Sequence, residues 1–242
     1  MSTQLSNGKL SNDPKAIIAA AMLVVAALLS LVAVIHHPVL RDFTSNSGGA
    51  DTFHAAAATD RLVHGALMAL AAVQVIGFYC LSKRLNFANL AVVAAFAAYG
   101  AGALITTIPA TLDGFVVPSL VETCTKSSSC EGPYAPVFSL VASCIQEFTK
   151  LALVCVSLAI LGWACTIVRR HGLLNRLTGS IGLLCATAPL ATLLATGIQL
   201  RPRNLAEFVL AQLVWNVAAA SVLLEPCDRL ANPAASLPRT GE

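Results

Sequence analysis

Apolar residues in this chain come in six long blocks rather than in alternation. The blocks run from Ala16 to Ile35, Leu62 to Ser82, Asn89 to Pro109, Leu151 to Val168, Leu177 to Leu200 and Leu205 to Leu224. Each is close to the roughly 20 residues that a helix needs to cross about 30 Å of hydrocarbon. No block alternates apolar with polar at a period of two, so the strands of a membrane barrel are excluded. A helix satisfies its backbone N–H and C=O groups within its own segment, which makes it the form such blocks take in lipid. The pattern predicts an all-α fold, a polytopic transmembrane bundle of six helices.

Composition agrees with the pattern. Of 242 residues, 57% are hydrophobic and 11% charged, against about 25% charged in a soluble domain. So few charges leave too little polar surface to face water on every side. The net charge of +3 is scattered along the chain, and no basic patch points to nucleic acid. The partner implied is the lipid bilayer, with a membrane-protein partner or a second copy of the chain compatible with the same surface.

The basic residues divide by side. Lys9, Lys15, Lys83, Arg84, Arg169, Arg170, Arg176, Arg229 and Arg239 fall at one end of the predicted spans. Arg41, Arg61, Lys126, Lys150, Arg201 and Arg203 fall at or near the other. The richer side carries tight pairs beside short loops, which predicts that it is cytoplasmic. Residues 1–15 and 226–242 are then cytoplasmic tails flanking a membrane domain over 16–225. Outer loops are expected at 36–61, 110–136 and 201–204, and inner loops at 83–88 and 169–176. The first block is too long for a signal-peptide core, and "HHPVLRD" follows it rather than a small-residue cleavage site. An uncleaved first helix in a cell membrane, most simply a bacterial inner membrane, is expected.

Eight cysteines separate by depth. Cys80, Cys144, Cys155, Cys165 and Cys185 lie in or beside apolar blocks, where cysteine acts as a small filler. Cys227 follows the last span. Cys124 and Cys130 share the polar stretch "ETCTKSSSCEGP" on the expected outer face, where an oxidising compartment allows a disulfide between them. Spacing alone leaves two unrelated thiols open.

Candidate chemistry gathers at one level of the chain. His36 and His37 end the first block, and His64 lies about one turn inside the second. Asp113 follows the third block and Glu147 precedes the fourth, both toward the expected outer side. Imidazoles and carboxylates at a common depth suit zinc, copper or iron, and histidine also exchanges protons near neutral pH. The plainer reading is that helix ends collect polar residues: "HHP" is a helix stop, Asp60 before Leu62 reads as an N-cap, and Glu147 and Lys150 are spaced to pair on one helical face. His64 fits that reading least well, since a polar ring within hydrocarbon faces a partner or a cavity. Deeper in the blocks, Gln74, Gln212 and Asn216 are expected to hydrogen-bond between helices.

No phosphate-cradling glycine loop, HExxH or GxSxG pattern occurs. The leading functional reading is a binding or transport module for a small solute or ion. Its polar site would lie near the outer face and use His64, His36, His37, Asp113 and Glu147. The alternative is a membrane-embedded redox or hydrolytic enzyme. Its metal ion would sit at His36, His37, His64 and Asp113 in that outer-face cluster, or a haem would span His36 or His37 and His64. A scaffold subunit for a partner membrane protein is the third reading. The orientation has a direct check: after reduction, a membrane-impermeant thiol reagent should label Cys124 and Cys130 from outside. Labelling of Cys227 in intact cells would invert the topology.

Overall fold

The computed structural model describes residues 13–37, 50–126, 134–196, 199–200 and 202–225. The α-helices among them are α1 (Pro14–Ile35), α2 (Ala50–Leu85), α3 (Leu90–Thr111), α4 (Val117–Lys126), α5 (Ala135–Val168), α6 (Leu173–Thr196) and α7 (Pro202–Leu223). A π-helical turn, Leu112–Val116, joins α3 to α4 without a break. Six membrane-length apolar helices result, because α3, the π turn and α4 together form one span. The protein is an all-α multi-span membrane protein.

Local chemistry sets the helix starts. Asp13 caps α1 by accepting from the Lys15 N–H, with Pro14 in the first turn, where its missing donor costs nothing. Asn89 caps α3 by accepting from the Ala91 N–H at 3.0 Å. The α2–α3 turn uses Asn86 at φ 79°, a left-handed conformation that asparagine tolerates, and its side chain accepts from the Ala88 N–H. Gly172 at φ 111° makes the corresponding turn between α5 and α6.

The helices form a closed ring. α1 packs on α2, α2 on α3, α3 on α5, α5 on α6, α6 on α7, and α7 returns to α1. Small residues set the close approaches: Gly77 faces Leu23 of α1, Gly102 faces Ala152 and Val156, Gly162 faces Ala95, and Gly182 lies under Trp215. Phe78, Tyr99, Trp163 and Trp215 fill the centre with almost no exposure. Phe78 stacks on Trp163 with ring centroids 4.6 Å apart. Two of the polar tips in this core find partners across helices, while Trp215 Nε1 has none among the described residues. Tyr99 donates to Gln74 Oε1 at 2.7 Å, and Trp163 Nε1 donates to Ser82 Oγ at 3.0 Å. Leu62, Leu90, Leu104, Leu184 and Leu194 point outward, an arrangement that a bilayer covers at no cost.

The two ends of the ring are closed differently. At one end, Arg84 donates to the Glu225 carbonyl, Arg170 to the Arg84 carbonyl, and Asn175 Nδ2 to both carboxylate oxygens of Glu225. This tie joins α2, α5, α6 and α7. Burial lowers the Arg170 pKa from its ordinary value, the Glu225 carboxylate opposes that shift, and Arg84 adds to it. Toward the other end, the Gln146 amide both donates to and accepts from the backbone of Leu200, at 2.8 Å each way.

Several helices overrun the apolar blocks that predicted them. α2 begins at Ala50, inside the expected outer loop 36–61, because the alanine-rich stretch before Asp60 favours helix without being apolar enough to register as a span. α3 continues past Pro109 through the π turn to Lys126, inside the expected loop 110–136. α5 begins at Ala135, so residues 137–148 extend the fourth helix beyond its apolar block, one of the two placements open to them from the sequence. Apolarity marks the depth of hydrocarbon, whereas helix propensity decides where the helix ends. Cys124 is buried and disulfide-bonded; Cys130 lies outside the described residues. Close packing gives a test. A Cβ on Gly182 would stand 2.4 Å from Trp215 and 2.8 Å from Ala164, so Gly182→Ala should lose about 1–3 kcal/mol of stability. Gly100→Ala, with open space at its Cβ, should lose nothing in the same thermal-unfolding assay.

Candidate metal centre

α1 ends in two histidines with different fates. His36 is the C-cap residue, and its Nδ1 donates back to Val32 O at 2.9 Å, so its ring is spent on its own helix and is exposed. His37 comes next and turns toward α2. There Asp60 and His64 are four residues apart and therefore on one face. His37 Nε2 lies 3.3 Å from His64 Nε2 and 3.3 Å from Asp60 Oδ1. The two imidazoles meet edge to face, with centroids 4.8 Å apart and planes at 85°.

The fourth side chain comes from the π turn. Asp113 Oδ2 stands 3.5 Å from His37 Nε2 and 3.5 Å from His64 Nε2. One wide turn in an otherwise α-helical segment changes the direction in which its residues point, and such turns concentrate at functional sites. Gly114 allows the turn to press on α2, since a Cβ there would stand 2.5 Å from His64 Cβ and 2.9 Å from His64 Nδ1. α1, α2 and the α3–α4 junction thus each contribute to one point.

The tautomer of His64 follows from its neighbours. Nδ1 is 3.0 Å from the Asp60 backbone carbonyl, which only accepts, and 3.3 Å from Asp60 Oδ1. Nδ1 therefore carries a proton, and Nε2 is the nitrogen that faces His37 and Asp113, free to present a lone pair there when the ring is neutral. The Asp60 side chain has no exposure at all, yet neither of its oxygens accepts a hydrogen bond among the described residues. A buried carboxylate so placed is stabilised by a cation beside it, whether a protonated imidazole of His37 or His64 or a metal ion.

His37, Asp60 and His64 each offer a ligand atom within 4.8 Å of the others, so the cluster can chelate a metal ion. A haem does not fit. Its iron would hold the two imidazoles on opposite faces of the macrocycle, whereas these nitrogens are 3.3 Å apart with carboxylates against them.

Of the residues expected at the site, the structure brings His37, His64 and Asp113 together. His36 stays on α1, and Glu147, which is 72% exposed, pairs with Lys150 at 2.8 Å. Asp60 is the residue of the cluster that the candidate set from the sequence left out. It read as an N-cap only because the helix was taken to begin at Leu62. Its signal was the four-residue spacing to His64. Gly114 gave a fainter one, as the glycine beside Asp113. The location also changes: the cluster lies inside the bundle and not at the outer face. His64 is roughly 20 Å along α2 from its start, at about 1.5 Å per residue, and α4 continues beyond Asp113.

No protein-family model, curated protein or solved structure matches this chain. The class is therefore given by fold and site alone: a multi-span helical membrane protein with a buried His/Asp cluster able to hold a metal ion. The contact with Gly114 yields a prediction. Gly114→Ala should displace the His64 ring and reduce metal uptake by the purified protein, with helix content by circular dichroism unchanged. Uptake at the wild-type level would show that the π turn does not position His64.

Proposed function

We propose that this protein is a membrane-embedded, metal-dependent enzyme of the hydrolytic kind, with a zinc-class divalent ion held by His37 and His64 together with the neighbouring carboxylates. Charge balance carries the reading. Asp60 and Asp113 bring two carboxylates into the bundle, and among the described residues the two imidazoles are the basic groups within reach. Protonating both would set two N–H donors against each other across 3.3 Å. One divalent ion with two neutral imidazoles neutralises both carboxylates and leaves no such clash.

Distance supports the class of ion. Tetrahedral zinc with bonds of about 2.0–2.1 Å spaces its ligand atoms about 3.3–3.4 Å apart. An octahedral ion with similar bonds would space adjacent ligands at about 2.8–3.0 Å. The nitrogen–nitrogen separation of 3.3 Å and the nitrogen–oxygen separations of 3.3 and 3.5 Å match the first set. Held by His37, His64 and the neighbouring carboxylates, such an ion would supply a Lewis acid able to activate water near neutral pH. The solute-module reading drew on His36 and Glu147 as well, and both are engaged elsewhere.

The setting of the enzyme is proposed from the charge pattern: both termini cytoplasmic, in a bacterial inner membrane, with a Cys124–Cys130 disulfide outside. The metal assignment is tested on protein purified without added chelator. Elemental analysis should find about one zinc-class ion per chain, with His64→Ala losing most of it while the fold persists. Wild-type protein that carries no metal, takes none up, and shows unchanged stability on zinc addition would overturn the reading.

A further inference from the structure

Two carboxylates reach the centre, and their surroundings differ. Asp60 is wholly buried, and its Oδ1 lies 3.3 Å from His37 Nε2 but meets His64 only at Nδ1, the nitrogen beside the Asp60 carbonyl. The lone pair of an imidazole Nε2 diverges from its Nδ1–H, so a group seated at Nδ1 stands on the wrong side of the ring to share an ion held at Nε2. Asp113 contacts Nε2 of His64 and Nε2 of His37 at the same 3.5 Å, and those nitrogens are 3.3 Å from each other. The three atoms form a nearly equilateral triangle, which is one face of a tetrahedron. Asp113 is also one-third exposed, whereas Asp60 has no exposure.

We infer that Asp113, and not Asp60, is the third metal ligand beside His37 Nε2 and His64 Nε2, and that the fourth position is open to a small oxygen- or nitrogen-donor anion. This assignment rests on the metal centre proposed above. Asp60 is then a positioning residue. It fixes the His64 tautomer and ring angle through Nδ1, and it supplies the second negative charge without touching the ion. The arrangement has the form of a catalytic zinc site, three protein ligands with one exchangeable position, rather than a closed structural one. It also gives the π turn a role: the turn carries the ligand that completes the face, and Gly114 lets it come close enough.

Cobalt(II) in place of zinc makes the assignment visible, because tetrahedral cobalt absorbs strongly and a thiolate ligand adds a near-ultraviolet charge-transfer band. In the full-length protein in detergent, cobalt-loaded Asp113→Cys should show that band and Asp60→Cys should not. Asp60→Asn should keep the tetrahedral spectrum with affinity reduced about 10- to 100-fold, the usual cost of losing an outer carboxylate. Asp113→Asn should lose more affinity than Asp60→Asn, and this comparison stands even if the cysteine variants fold poorly. Azide added to the wild-type cobalt protein should shift the spectrum by entering the fourth position. A thiolate band from Asp60→Cys alone would reverse the ligand assignment while leaving the metal centre standing. An azide-insensitive spectrum would overturn the open position. Wild-type protein that takes up neither cobalt nor zinc would instead remove the metal centre itself.

Discussion

The constraint on which this bundle turns is the carboxylate of Asp60, wholly buried in a helix bundle of membrane length. An isolated buried charge costs many kcal/mol, so its surroundings must supply compensation. Three segments do so. α1 ends where His37 reaches α2, α2 places His64 one turn from Asp60, and the π turn brings Asp113 to the same two nitrogens. Each of these features is costly or unusual alone, and together they make one buried cluster able to hold a metal ion.

The rest of the ring holds that site without sharing in it. Between the two polar ends lies an aromatic centre of Phe78, Tyr99 and Trp163, whose polar tips are satisfied by Gln74 and Ser82. At the far end, Arg84, Arg170, Asn175 and Glu225 tie four helices together. The glycine contacts let backbones approach where lipid provides no hydrophobic drive for helix association. Rigid packing on both sides of the aromatic layer keeps α1, α2 and α3 in register, and the separations of 3.3 and 3.5 Å at the centre depend on that register.

The donor set and the location together narrow the chemistry. Two imidazoles and carboxylates, without thiolate, suit a hard-to-borderline divalent ion. A centre within the bundle keeps bulk water at a distance and would strengthen every charge interaction around an ion held there. The scaffold reading has no use for such a site, since a purely structural tie between helices is met more cheaply by amides, as Gln74 and Tyr99 show.

The class of fold was legible in the sequence because bilayer thickness imposes a length on apolar blocks, and nothing else produces six of them. His64 stood out for a similar reason, as a polar ring too deep to be a cap. Helix ends were not legible, since alanine and mixed segments carry α2 and α5 beyond the apolar blocks, and a wide turn carries α3 into α4. That overrun moved the cluster from the surface to the interior and turned Asp60 from a cap into a buried anion. It also left Glu147 outside, paired with Lys150. Composition and periodicity determine which residues enter the membrane. Which of them meet depends on the ring order of the helices and on one extra residue in a turn, and only tertiary packing decides these.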